Sequence, residues 1–224
     1  ESVLSFVLYR AGFSYDGLGD FTRAYQLRLE QIELDHHLGS RNQEAAGLAN
    51  LGSSYISMGL YKQARSVIEQ SRAINESLNA RRGLTYNLMT LGNIFLHTGD
   101  LRKSRQLWEQ ALQEISPIQD GRGKAFALDG VGKVLLAMGD ATGACRYFTE
   151  AHELASAQGL TPQVCEIATG LAACAVMQGQ LEQARKYILE AWEYLIENRI
   201  AGLTYLGMDY RTCIDVVDAL GEPE

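Results

Sequence analysis

Apolar residues along the chain recur at the spacing of a single helical face. Leu48, Leu51, Tyr55 and Met58 fall at i, i+3, i+7 and i+10, and Leu88, Leu91, Phe95 and then Leu128, Val131, Leu135 repeat the stripe. A second set of stripes lies between them. It comprises Ala64, Val67, Ile68 and Ser71, then Leu107, Trp108, Ala111 and Ile115, then Ala144, Tyr147, Phe148 and Ala151. The pattern predicts one helix over roughly 42–58 and a second over roughly 61–78, with further pairs following at forty-residue intervals.

Glycine marks the same period. Gly19, Gly59, Gly99, Gly139 and Gly179 close the first helix of each pair, because a residue without Cβ enters the left-handed conformation of a helix end without strain. Asp20, Asp100 and Asp140 follow directly, where a carboxylate can accept from the free N–H groups of the next helix. Gly12, Gly52, Gly92 and Gly132 stand inside the first helices, where each costs about 1 kcal/mol of helix propensity. That cost is tolerated where a partner helix must come close. The small residues Ala24, Ala64, Ser104, Ala144 and Ala184 are expected to offer the matching thin surface.

The expected fold is all-α: an alpha-alpha superhelical solenoid of about five helix pairs plus a final unpaired helix. Its repeats run at about 1–40, 41–80, 81–120, 121–160 and 161–200, with a partial one at 201–224. The last unit, with Tyr210, Cys213, Val217 and Gly221-Glu222, fits the register if two residues are inserted before it. It would be a first helix without its second. With Glu rather than Met at position 1, this supports reading residues 1–224 as one solenoid cut from a longer protein.

These columns resemble the tetratricopeptide repeat, whose pattern includes Leu-Gly, an aromatic three residues later, then Gly and Ala. The period here is forty rather than thirty-four, and the family's Trp column holds Leu8, Leu48, Leu88 and Leu128. Repeats of this length are similar to those of kinesin light chain, Pins-type adaptors and MalT-like bacterial sensors. Asn50-Leu51-Gly52 with Tyr55, and Leu91-Gly92-Asn93 with Phe95, look like the Asn-Leu-Gly-Asn core of the Pins type.

Composition narrows the function classes. The chain is 46% hydrophobic and carries only three prolines, so it can bury a core along long helices. Its formal charge of -7 disfavours a nucleic-acid reader, whose affinity comes mainly from phosphate contacts; Arg81-Arg82 and Arg102-Lys103 are local exceptions. No apolar run reaches the length of a membrane span and no signal peptide is visible, which points to the cytoplasm. Cys145, Cys165, Cys174 and Cys213 form no Cys-x-x-Cys pair and read as small buried hydrophobes.

Catalytic or metal chemistry finds no support. Gly130-Val131-Gly132-Lys133 has neither the spacing nor the loop context of a phosphate cradle. His36 and His37 are adjacent, so they cannot face one metal as an i, i+4 pair would, and His97 and His152 have no ligand partner at useful spacing. The expectation is a non-enzyme without cofactor or metal.

The remaining candidate is the concave face lined by the first helices. The resemblance places there Phe6, Ala46, Tyr86, Phe126 and Glu166, then Tyr9, Ala49, Met89, Asp129 and Thr169. It adds Phe13, Ser53, Asn93, Lys133 and Ala173, and a fourth column of Arg10, Asn50, Thr90, Gly130 and Gly170. Asn50, Asn93, Tyr86, Phe126, Asp129 and Lys133 are the expected binding residues, the two amides because one Asn side chain both donates to and accepts from a peptide backbone. The expected partner is a protein or an extended peptide segment. The alternative is the effector-sensing or autoinhibitory region of a multidomain bacterial regulator of the MalT-like kind, acting on a neighbouring domain or a small effector.

Overall fold

In the computed structural model, which describes residues 2–118, 120–198, 214, 216–219 and 221, the recurring glycines end helices as their spacing demands. Gly19, Gly59, Gly99, Gly139 and Gly179 have φ between +72° and +85°. The following N–H then reaches back over the last turn: Leu60 donates to the Tyr55 carbonyl at 2.8 Å, Asp140 to Leu135 at 2.9 Å and Gln180 to Ala175 at 2.8 Å. Gly39, Gly159 and Asn79 end the second helices in the same left-handed region, a set the sequence reading did not single out.

Among the described residues the elements are α1 (Ser2–Gly17), α2 (Phe21–His37), α3 (Arg41–Ser57), α4 (Tyr61–Ser77), α5 (Arg81–His97), α6 (Leu101–Ile115), α7 (Gly121–Ala137), α8 (Ala141–Ala157), α9 (Thr161–Met177) and α10 (Leu181–Asn198). No strand occurs among these residues. Odd-numbered helices are the first, or A, helices of their pairs and even-numbered ones the second, or B, helices. α6 is shorter than its counterparts because Pro117 cannot continue it, and Ser116–Ile118 tightens into a single 3-10 turn.

Aspartates start several helices. Asp20 Oδ1 accepts from Arg23 N at 3.1 Å and Asp140 Oδ1 from Gly143 N at 2.8 Å. Asp120 does the same for α7, accepting from Gly123 N at 2.9 Å. Asp140→Ala leaves that α8 donor without its acceptor, so the expected loss is about 0.5–2 kcal/mol in a urea melt followed by circular dichroism. Asp140→Asn, which keeps the acceptor, should lose less.

The chain divides into two compact units, Glu1–Asp100 and Leu101–Glu224. The first holds α1–α5 and the second α6–α10, so the division falls between the A and B helices of the third forty-residue repeat. Within each unit every helix packs on its sequence neighbours, and A helices also touch each other, α3 with α5 and α7 with α9.

What sits at the thin spots differs from the expectation of small residue against small residue. A Cβ at Gly52 would stand 2.5 Å from Ile68 Cδ1, and one at Gly132 would stand 2.7 Å from Phe148 Cε1. The interior glycines therefore receive the bulky B-helix residue one turn beyond the recurring small position. This column, Arg28, Ile68, Trp108, Phe148 and Ile188, acts as a row of bolts, and all five are buried at 7% exposure or less. Ala24, Ala64, Ser104, Ala144 and Ala184 are all at 0% and let the helices close around the bolts. The second unit also takes Val216 into a core with Ala172, Ala175, Ala184 and Ile188, and Val217 packs against it. Gly221 has φ +67°, as a helix-ending glycine does, while Tyr210, Cys213 and Glu222 lie outside the described residues.

Polar side chains inside the first unit are mostly paired. Asp35, 1% exposed, accepts from Ser5 Oγ at 2.6 Å and from Gln31 Nε2 at 3.1 Å. Arg28 donates to Ser54 Oγ at 2.8 Å and lies over the Phe13 ring at 5.3 Å. Between α4 and α5, Asn75 Nδ2 donates to Asn87 Oδ1 at 2.8 Å, Asn87 Nδ2 to Ser71 Oγ at 2.9 Å, and Ser71 Oγ to the Ala45 carbonyl at 2.7 Å. Buried polar groups of this kind stabilise only when satisfied, and they then fix the register of the helices they join.

Candidate binding surface

The residues of interest lie on A helices, held in place by the bolts behind them. In the first unit, Tyr86 and Asn93 stand seven residues apart on α5 and so share one face, and Asn50 stands on the adjoining α3. Tyr86 is half-buried, with the Arg82 guanidinium 5.8 Å from its ring centroid. Asn50 is half-buried, and its carbonyl accepts from Ser54 Oγ at 3.3 Å. Asn93 is only 2% exposed, and its Nδ2 has no hydrogen-bond acceptor among the described residues.

In the second unit, Phe126, Asp129 and Lys133 line one face of α7 at i, i+3 and i+7. Phe126 meets the Trp108 ring edge-on, with centroids 5.5 Å apart at 71°. Lys133 Nζ and Asp129 Oδ2 are 2.7 Å apart, and both side chains are nearly buried, at 10% and 4%. Asp129 Oδ1 has no donor among the described residues. On α9 the corresponding columns hold Glu166 and Thr169, both buried, with Thr169 Oγ1 donating to the Glu166 carbonyl at 2.7 Å. An ion pair, an aromatic edge and an acceptor with capacity to spare thus share one helix face, and such a set suits recognition of a polar, extended ligand.

The fourth column points elsewhere. In the second unit, a Cβ at Gly130 would collide with the Trp108 indole, and one at Gly170 would stand 2.6 Å from Phe148 Cζ. These glycines face the preceding B helix, not an open trough. The size of this column runs against the size of its bolt: Asn50 follows Arg28, Thr90 follows Ile68, and Gly130 and Gly170 follow Trp108 and Phe148. By this register Asn50 stands at the seam between α2 and α3.

Other side chains weighed in the sequence settle into structural roles. His36 Nδ1 lies 3.1 Å from Glu44 Oε1, His37 lies beside Glu33, and the His97 ring stacks on Tyr61 at 5.4 Å. Among the described residues no cluster of three metal-ligating side chains occurs. Burial pushes the Cys174 thiol up to about 12, which leaves it a core residue rather than a nucleophile. A hydrogen bond with Tyr25, helped by burial, raises the Tyr55 phenol to about 12. No helix among the described residues is long and apolar enough to cross a membrane.

Comparison with known proteins accords with this architecture. Tetratricopeptide-repeat family profiles match residues 124–195 and 45–77. No curated protein sequence matches the chain. A Rap protein solved in complex with Competence and Sporulation Factor is similar in fold at 15% identity and a TM-score of 0.79, over 97% of this chain and 65% of that one. NprR in complex with its cognate peptide NprX is similar at 14% identity and a TM-score of 0.75, over 91% and 57%. A signal-transduction ATPase with a tetratricopeptide-repeat sensor, from Pyrococcus horikoshii, is similar at 18% identity and a TM-score of 0.70. There the match covers 96% of this chain but 32% of the ATPase. The chain therefore spans about a third of that ATPase and under two thirds of Rap and NprR, and identities this low speak for the fold. With the forty-residue repeat and the glycine-ended helix pairs, these matches show that the chain carries tetratricopeptide repeats, at residues 45–77 and 124–195, on a tetratricopeptide-like all-α fold.

Proposed function

We propose that the chain is a non-catalytic scaffold that holds an extended peptide, or a peptide-like segment of a partner protein, on the inner faces of its A helices. The observation that carries this reading is the unspent hydrogen-bonding capacity of Asn93 Nδ2 and Asp129 Oδ1, one in each unit. Buried polar atoms ordinarily have partners, and a peptide backbone offers a carbonyl to the amide within the first unit, or an N–H to the carboxylate within the second. The fold likeness to NprR supports the choice of a peptide, since NprR was solved with its cognate peptide bound.

The test separates binding from folding. A peptide is selected from a display library on the full chain, and its affinity is then measured by fluorescence anisotropy on Asn93→Ala and on Asn50→Ala with Asn93→Ala. Removing a buried donor that has no acceptor should leave thermal stability unchanged or slightly higher, because the desolvation penalty of about 1–3 kcal/mol goes with it. Affinity should fall at least tenfold in Asn93→Ala, and the added Asn50→Ala, at the α2–α3 seam, should bring little further loss of affinity. Unchanged affinity, or a drop that tracks lost stability, removes Asn93 from the site.

A second reading follows from the ATPase likeness: the same surface serves as the effector sensor of a longer signalling protein in the cytoplasm. It requires that the selected peptide change the output of a domain on the same polypeptide. A parent protein whose output ignores the peptide would leave only the scaffold.

A further inference from the structure

We propose that the outer face of α6, α8 and α10 is a self-complementary surface on which a second copy of this chain docks, held by ion pairs across a two-fold axis. The inference is independent of the peptide reading, because it uses the B helices and not the inner faces of the A helices.

The bolts and the small residues mark the inward side of each B helix, so the opposite side carries what the second unit presents outward. Two outward columns stand seven residues apart. One holds Gln106, Arg146 and Lys186, and the other holds Gln113, Glu153 and Glu193. All six residues are exposed. α8 packs against both α7 and α9, yet its two columns are as open as those of α6 and α10. Within the columns of α8 and α10, the cation lies in the N-terminal half of the helix and the carboxylate in the C-terminal half. The helix macrodipole favours the reverse order. Pairs at i, i+4 also favour the acid first, whereas Arg146 precedes Glu150 and Lys186 precedes Glu190. Helix stability does not account for this placement; a facing surface does.

A two-fold axis crossing α8 between Thr149 and Glu150 lays that helix antiparallel on its own copy. It brings Arg146 over Glu153 of the second copy, and Glu153 over the second copy's Arg146. Because both columns recur at forty residues, the same axis passes over α10 between Leu189 and Glu190 and over α6 between Glu109 and Gln110. It therefore also pairs Lys186 with Glu193, and Gln106 with Gln113, whose amides both donate and accept. The face is hollowed where the axis crosses α8: a shallow depression of about 500 Å³, lined by Arg146, Thr149, Glu150 and Glu153 among others, leaves room for the facing side chains. The first unit lacks this match, since the corresponding positions are Gln26 with Glu33 on α2 and Ser66 with Ala73 on α4. A foreign partner would need the same alternation of sign in the same register, and a second copy has it by symmetry. The net charge of -7 opposes association in general, but the charges of the two columns cancel, and repulsion from the rest is screened beyond about 10 Å at 0.1 M salt. Exposed ion pairs are individually weak, so the dimer should be a salt-sensitive one.

Sedimentation equilibrium of the full chain over a range of concentrations is the test. A monomer–dimer equilibrium is expected at about 0.1 M salt, and its dissociation constant should rise at least tenfold at about 1 M, where the Debye length falls to about 3 Å. Arg146→Glu with Lys186→Glu should weaken the dimer at least tenfold. Lys62→Glu with Arg65→Glu on α4, which changes the net charge equally, should weaken it far less. Adding Glu153→Arg and Glu193→Lys to the first pair returns the chain to its original net charge with the two columns exchanged, and should restore the dimer. Every altered position is exposed, so the thermal melts should not shift. Three results would each overturn the proposal: a chain that stays monomeric at about 0.1 M salt at every concentration, a dimer indifferent to the first pair of changes, or an exchange of columns that fails to restore it. The first of these would leave the face to a foreign partner or to solvent.

Discussion

Phe148→Ala should lower the unfolding free energy by about 3–5 kcal/mol, near the upper end of what one core truncation does. The ring is fully buried on α8. It is lodged between two glycine surfaces, Gly132 of α7 and Gly170 of α9, whose hypothetical Cβ atoms would lie 2.7 Å and 2.6 Å from it. A glycine has no side chain to swing into a vacated space, so the cavity left by alanine would collapse poorly, and poor collapse is what raises the cost of such substitutions. One residue serves two interfaces here, with its own A helix and with the next. In a repeat array stability is roughly a sum of unit terms and nearest-neighbour terms, so the damage should be concentrated in helices α7, α8 and α9. Hydrogen exchange should therefore quicken in α7, α8 and α9 while α2 to α4 keep their protection, alongside a lower urea midpoint. A loss below about 0.5 kcal/mol, the range of ordinary surface substitutions, would mean that the ring is not the bolt described above.

The sequence made the bolt column hard to recognise for a physical reason. Helix ends were legible because Gly59 or Gly139 in a left-handed turn has few substitutes, and the ranges 42–58 and 61–78 differ by one residue at most from α3 and α4. The capping aspartates Asp20 and Asp140 were legible for the same kind of reason, an acceptor needed at a fixed place. Direction around the helix was less so. Columns three or four residues apart share a broad face, and spacing alone does not say whether Gly130 looks into a trough or onto an indole; only the neighbouring helix decides. Buried polar networks escaped the reading as well, since Asp35 and Asn87 carry no mark in sequence that separates them from solvated residues. Asn93 and Asp129 were named for their chemistry; their depth and their unpartnered atoms came from the packing.

Gly130→Val tests the complementary half of the bolt geometry. Helix propensity alone favours valine over glycine inside α7, and alanine by about 1 kcal/mol. The structure sets the opposite sign, because a Cβ at Gly130 falls on Trp108 Cε3, Cδ2 and Cε2, atoms of a rigid ring that is only 2% exposed and is also held by Phe126. Overpacking a filled core in this way costs about 1–3 kcal/mol and sometimes more, and valine adds two methyl groups to the collision. The double-mutant cycle makes the claim specific. Trp108→Ala alone should cost about 3–5 kcal/mol through the cavity it leaves. In that background Gly130→Val finds space and an apolar wall, so it should become neutral or stabilising. The two changes together should then cost less than their sum by roughly 1–3 kcal/mol, the coupling expected of side chains in direct contact. Additive losses would place Trp108 and Gly130 apart, against the contact that the bolt register requires.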